Sequence, residues 1–506
     1  MYDLYKPLRN HLRHVSLLQS LGAVRAYQQY LQFGQAFPRD IEVPTVFFQK
    51  TRAEKGIYEW ELELLAKELI LNAPDQANDD FRRWNAISSA VNKLKDLENE
   101  VAGRYDKLFS ENILLEVYRI AHRQFPWQAA NDSVRLTRYF KLFSTDKLHG
   151  MLEKHLGLDA RTLYTIGLLF SGAFLEHFGV DWPLKTTLAG ITEAQFANFA
   201  ARFATDLPSL RERIGRAQSY DQDYAYAFNP LKVSPLIHVV NQGKPALIAP
   251  VPSYLFRRFT EGVYYDLINV PGFAGAFGAA FQAYAGEVIT AADPKGALTL
   301  LREETYHVGK DQKHAVDWIV TDGSGALFVE CKTKRLPFAA KVALASKEVL
   351  EEELGKLAKA VVQVYKTLAD ANAGLYPHWK PSKLPVFPLV VTLEDWYAFG
   401  DEFISGIDGF VRAGLVDESL DPKIMETLPY TICSIDDFEC VIQVVVGVGI
   451  KPVMDSKTQG EAKLWLLRDS TKTKFPAEYK AIKRNLFQAD FERIRPQTAG
   501  GEKKAP

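Results

Sequence analysis

Two segments of the 506-residue chain hold residues whose types and spacing suit catalysis. In KHAVDWIVTDGSGALFVECKTKR (313–335), Asp317 opens one apolar run, and Glu330 and Lys332 close a second. In GFAGAFGAAFQAYAGEVITAA (272–292), Glu287 lies at the edge of a stripe made by Phe273, Phe277, Phe281 and Tyr284. Side chains alternate along a strand, so Glu330 and Lys332 are expected to share one face while Val329 and Cys331 take the other. Two carboxylates and an ammonium gathered at the mouth of a small sheet suit metal-assisted phosphodiester hydrolysis. Mg²⁺ takes oxygen ligands and keeps several waters, so Asp317, Glu330 and the Cys331 carbonyl make an adequate shell, with Mn²⁺ as a substitute. Such an ion lowers the pKa of a bound water and neutralises charge growing on the phosphate. Lys332 is expected to orient the attacking water and stabilise the pentavalent transition state. Glu287, approaching from its helix, is expected to reach the metal through water or to hold a second ion.

A bare Glu-x-Lys carries little information, since it recurs at Glu461–Lys463, Glu478–Lys480 and Glu502–Lys504. Only the Glu330 triplet ends an alternating apolar strand, follows an Asp-bearing strand, and has a Glu-bearing apolar helix upstream. The competing reading is a solvated ion cluster on an open sheet face. Lys313, Lys334, Arg335 and Lys341 flank the triplet and suit contacts to phosphates beside the scissile bond. His307 and His314 lie near it, but the sequence supplies no fixed partner that makes either a base. Cys331 reads as a small core residue.

The elements that must position these groups follow from periodicity. AVDWIV and ALFVECK are short and rich in β-branched and aromatic residues, and the Asp-Gly of TDGSG predicts a tight hairpin between them. Before them stands the aromatic-striped helix, then a strand around 297–308; after them come a helix around 346–371 and a strand at PVFPLVVTL. Upstream, to about residue 220, apolar residues recur at helical spacing, as in YEWELELLAKELIL (58–71) and in one helix over 193–217. Five prolines between 230 and 252 exclude a long helix there and leave SPLIHVV and KPALIAP as a hairpin or junction. Beyond 395 the chain mixes a helix with a run, TICSIDDFECVIQVVVGVG, that reads as strand. The expected organisation is a multidomain α+β protein: an all-α region at 1–220, an extended junction at 221–256, an α/β unit with a mixed sheet flanked by helices at 257–395, a mixed region at 396–493, and a disordered tail at 494–506.

Composition bounds the function. Lys plus Arg number 61 against 62 for Asp plus Glu, so no global field draws the chain to a polyanion, and any nucleic acid must meet a local basic surface. Three cysteines without a Cys-x-x-Cys pair exclude a disulfide framework or a zinc ribbon and favour a reducing compartment. The polar start MYDLYKPLRNHLRH does not read as a secretory signal, and no apolar run approaches the ~20 residues that span a bilayer. These readings point to a cytoplasmic protein without a membrane partner. There is no Walker loop, dinucleotide fingerprint or nucleophile elbow.

In the order of its elements and in Asp317, Glu330 and Lys332, the segment 257–395 resembles the PD-(D/E)XK nuclease superfamily, the restriction-endonuclease-like fold. Two departures stand out: Val316 occupies the position of the name-giving proline, and Gln363 is followed four residues later by Thr367, so the Gln and Tyr pair of the RecB-like branch is not reproduced. The resemblance implies a metal-dependent nuclease, with DNA preferred over RNA. Its large helical region is similar to accessory regions on nucleases of restriction and anti-phage defence systems, and the expected roles for it are to recognise substrate, to dock a protein partner, or to hold the nuclease inactive until a partner or activating ligand engages it. The alternative is a non-catalytic nucleic-acid-binding or scaffold protein built on a degenerate nuclease core.

Overall fold

The computed structural model describes residues 2–111, 113–127, 132–185, 188, 190–241, 243–333, 347–380 and 383–495. Among these residues the chain forms eleven strands: β1 (Gly179–Asp181), β2 (Ala204–Asp206), β3 (Leu236–Asn241), β4 (Lys244–Ile248), β5 (Thr299–Arg302), β6 (Thr305–Val308), β7 (Asp311–His314), β8 (Trp318–Thr321), β9 (Ala326–Lys332), β10 (Val386–Thr392) and β11 (Thr431–Ser434). The central sheet has the order β11-β10-β9-β8-β5. Strand β8 is antiparallel to both β5 and β9, whereas β10 is parallel to β9 and β11 to β10. The turn Asp322–Gly325 joins β8 to β9, and the Asp322 carboxylate closes it by accepting from the Ser324 and Gly325 amides at 2.6 and 2.8 Å. A parallel return from β9 to β10 needs a crossover, and the long helix Lys347–Asn372 supplies one.

Helices cover both faces of this sheet, and for that reason β9 and β10 read as nearly continuous apolar runs. On one face Val320, Leu327, Val329, Leu389 and Val391 pack with the helices Phe273–Ala292, Ile435–Val448 and Ile450–Thr458. On the other, Ile319, Phe328, Val390 and Ile432 pack with Lys347–Asn372 and Asp401–Asp417. A third core joins the helices Tyr2–Leu12, Leu17–Phe33, Glu59–Asn72 and Leu207–Ala217 to Ile237 and Ile248 of the β3–β4 hairpin.

The structure is thus mixed α+β with a helical N-terminal region. The packing crosses the boundary expected at residue 220, because Leu136, Phe143, Phe170, Phe196 and Phe203 lie in the same core as the central sheet. Three elements differ from the sequence reading. The stretch 193–217 is two helices separated by β2, since Asp206 caps the second by accepting from the Ser209 amide and Pro208 in its first turn has no N–H to continue the first. The expected strand at 297–308 is β5 in the central sheet and β6 in a separate ribbon with β7. The strand-like run from Thr431 keeps only β11 extended; Ser434 then accepts from the Asp437 amide and caps the helix Ile435–Val448, with Asp436 and Asp437 suited to its positive first turn. Burial of Val441, Val444 and Val445 overrides their β propensity. The tail from 496 falls outside the described residues, while Ile494, expected to begin it, is buried at the end of the helix Gln488–Ile494. Among the described residues no helix is long and apolar enough to cross a membrane.

One close approach fixes the helix Phe273–Ala292 on the sheet. A Cβ at Gly286 would come within 2.3 Å of Cζ2 of Trp318, whose indole N–H donates to the Gln282 carbonyl at 2.9 Å. Gly286→Ala gains at most about 1 kcal/mol of helix propensity, whereas overpacking a rigid indole costs about 1–3 kcal/mol. The variant is therefore expected to be less stable, with urea unfolding as the measurement. An unchanged or higher midpoint would refute this close approach.

Candidate active site at the carboxyl end of strand β9

The hairpin register builds the site. Trp318 faces Val329, so Asp317, one residue before β8, falls opposite Glu330. Its carboxylate Oδ2 accepts from the Cys331 amide at 2.6 Å. Glu330 is 2% exposed; its Oε1 accepts from the Lys332 ammonium, and its Oε2 is buried with no hydrogen-bond partner. Lys332 Nζ also lies 3.5 Å from Oε1 of Gln363 on the crossover helix. Strand parity puts Glu330 and Lys332 with Phe328, on the side covered by that helix, and turns Cys331 with Val329 toward the opposite core. The pleat therefore brings Asp317, Glu330 and Lys332 together.

Glu287 is not brought to this trio. Its helix packs on the other face of the sheet, and its half-exposed carboxylate pairs with Lys141 at 2.8 Å. The aromatic stripe Phe273, Phe277, Phe281 and Tyr284 is buried, but Glu287 meets the N-terminal helix that carries Lys141 rather than β9. The third acid near the pair is instead Glu303, just beyond β5. Its amide donates to the Asp317 carbonyl at 2.9 Å, and its carboxylate accepts from Gln282 Nε2 at 2.9 Å. Sequence spacing gave no sign of Glu303 or of the reach of Gln363, since both depend on which strands and helices become neighbours.

The flanking cations are also placed. Lys313 is held by Asp370 at 2.7 Å, which also accepts from the Tyr306 hydroxyl, so this lysine ties the β6–β7 ribbon to the crossover helix. Lys334, Arg335 and Lys341 lie outside the described residues. An open depression of about 500 Å³ is bordered by Glu303, Glu304, Thr305 and His314, and contains none of the trio in its lining.

Burial pushes the Asp317 carboxyl above its ordinary range, against the pull of the Cys331 amide and Lys332, and the charge of Glu303 pushes it further. Burial, then the charge of Asp317, does the same to Glu330, and Lys332 only partly offsets it. Among the described residues no group of three or more His, Cys, Asp or Glu side chains is arranged to hold a metal ion. The donors that do converge are all oxygen: Asp317, the unpartnered Oε2 of Glu330, and the Cys331 carbonyl, which leaves the strand on the same edge as the amide that meets Asp317. Two carboxylates and one carbonyl fit a hard divalent cation that keeps several waters.

These raised values have a consequence for stability. A carboxyl that holds its proton more tightly when folded favours folding at low pH, and that contribution is lost as pH rises from the ordinary carboxylate range through the raised values. Asp317→Asn keeps an acceptor for the Cys331 amide but removes the penalised charge. With a chelator present it is expected to melt above the unaltered chain at pH 8, with the gap shrinking toward pH 5. A gap that does not change with pH in thermal melts would contradict the buried charge.

No family model, curated protein or solved structure matches the chain.

Proposed function

We propose that this chain is a Mg²⁺-dependent nuclease that hydrolyses phosphodiester bonds, with DNA as the preferred substrate. The observation that carries this reading is the placement of Asp317, Glu330 and Lys332 on one face at the carboxyl end of β9, with an unpartnered buried oxygen on Glu330. The sheet supports it: an antiparallel β5-β8-β9 meander followed by a helical crossover to a parallel β10 is the order that the resemblance to PD-(D/E)XK nucleases implies. Asp317, Glu330 and the Cys331 carbonyl would hold the ion, which supplies charge neutralisation and an acidified water when bound. Lys332, held between Glu330 and Gln363, would orient the attacking water and meet the charge that develops on phosphorus-bound oxygen.

The test incubates the full chain with labelled single-stranded and double-stranded DNA and RNA in Mg²⁺ or Mn²⁺. Metal-dependent cleavage of DNA is the expected result, and cleavage of RNA alone would overturn the substrate choice. Absence of cleavage together with a silent Mg²⁺ and Mn²⁺ titration by calorimetry, nucleic acid present, would instead favour a non-catalytic binding protein.

A further inference from the structure

His314 gains in the structure the fixed partner that its sequence neighbourhood lacks. It ends β7, three residues before Asp317, and its ring Nδ1 lies 3.0 Å from Oε1 of Glu303. A carboxylate only accepts, so Nδ1 carries its proton toward Glu303 and Nε2 is left for another partner. Glu303 is itself held at two points, by the Gln282 side-chain amide on its second oxygen and by its own backbone amide on the Asp317 carbonyl. The imidazole is 61% exposed and borders the open depression, which reaches the site through Glu303, whose amide meets the Asp317 carbonyl. The other acid on that wall, Glu304, is engaged with His378 at 2.6 Å, and the nearby Lys313 is turned to Asp370.

Resting on the nuclease reading, we propose that His314 is a catalytic proton donor to the leaving oxygen of the scissile phosphodiester, with Glu303 as its positioning residue. The balance is simple. Water held at Lys332 attacks phosphorus and gives up a proton to solvent, the bond from phosphorus to the leaving oxygen breaks, and the doubly protonated His314 ring passes its Nε2 proton to that oxygen, giving a free hydroxyl, a phosphate monoester and a neutral imidazole that keeps its Nδ1–H on Glu303. The ring is then recharged from solvent through the open depression. An ammonium at Lys332 has no comparable role on the leaving side, because it is bonded back to Glu330.

The experiment uses the full chain and duplex DNA with sulfur replacing the bridging oxygen, at the 3′ or the 5′ position of a cleaved linkage. A thiolate leaves without needing a proton, so the loss caused by removing a general acid disappears on the sulfur linkage. His314→Ala is expected to lower single-turnover cleavage of the ordinary linkage by about 10²- to 10³-fold, within the range of general acid catalysis, and to cut one of the two sulfur linkages at nearly the unaltered rate. Glu303→Gln, which keeps an acceptor for Nδ1 without its charge, is expected to give a smaller loss and a shifted acidic-to-neutral limb of the pH profile. Unchanged rates for His314→Ala, or an equal loss on oxygen and sulfur linkages, would overturn the proton-donor role while Lys332→Ala still abolished cleavage. If the unaltered chain cuts no substrate, the nuclease reading and this role fall together.

Discussion

Lys332→Ala is expected to reduce single-turnover cleavage by about 10²–10³-fold, the loss seen when one preorganised charge stabiliser is removed. Two effects act in the same direction. The transition state loses the Lys332 ammonium, and Glu330, 2% exposed and bonded to that ammonium, loses a cation that restrains its raised proton affinity. Lys332→Arg is not expected to restore activity, because a planar guanidinium with a fixed fork cannot replace a point charge between Glu330 and Gln363. Asp317→Ala is expected to be at least as damaging. Thermal melts with and without Mg²⁺ separate a chemical defect from unfolding: the Lys332 variant should retain its fold and a metal-induced shift, and Asp317→Ala should lose that shift. Rates within about threefold of the unaltered chain for either variant would remove the trio from the chemistry.

The second large effect concerns stability. Arg138→Ala is expected to destabilise the fold by about 3–5 kcal/mol, as when one partner of a buried ion pair is removed. Arg138 is 1% exposed on the helix Asp132–Phe143 and meets Asp436 at 2.6 Å and Glu439 at 2.9 Å, both on the helix Ile435–Val448. Tyr284, from the sheet-covering helix, donates to Glu439 at 2.7 Å, so three distant segments share one buried network. The loss reflects the two carboxylates left behind more than the attraction given up. A triple change of Arg138→Met, Asp436→Asn and Glu439→Gln should therefore recover much of the stability. Urea unfolding decides: a loss below about 1 kcal/mol for Arg138→Ala would mean that water or relaxation replaces the guanidinium.

Local signals carried the heart of the sheet. The Asp-Gly turn, period-two alternation and the parity of Glu330 and Lys332 are properties of adjacent residues, so the β8–β9 hairpin and the shared face of the trio were legible. What was not legible depends on distant partners. Glu287 sits on the stripe that its spacing implies, but only the docking of the helix Asp132–Phe143 decides that it meets Lys141. Glu303 enters the site because β5 pairs with β8, and Gln363 because the crossover helix lies over β9. The valine-rich segment after Thr431 matches strand propensity but is helical, since the Ser434 cap and burial against several helices outweigh a preference worth tenths of a kcal/mol per residue.

The contact between Arg138 and Asp436 spans 298 positions of the chain, and this separation sets a clock for the molecule as it is made. At roughly 5–20 residues per second, Arg138 leaves the ribosome about 15–60 s before its partner exists. Over that interval the core that the helices around Phe143 and Phe203 share with the central sheet stays open on the side later closed by Ile435 and Val445. A nascent chain must therefore hold apolar surface exposed until the segment from Ile435 to Val445 emerges. A chain begun at Arg257 would lack the helices that complete this core, so the N-terminal segment is a folding partner of the site before it is anything else.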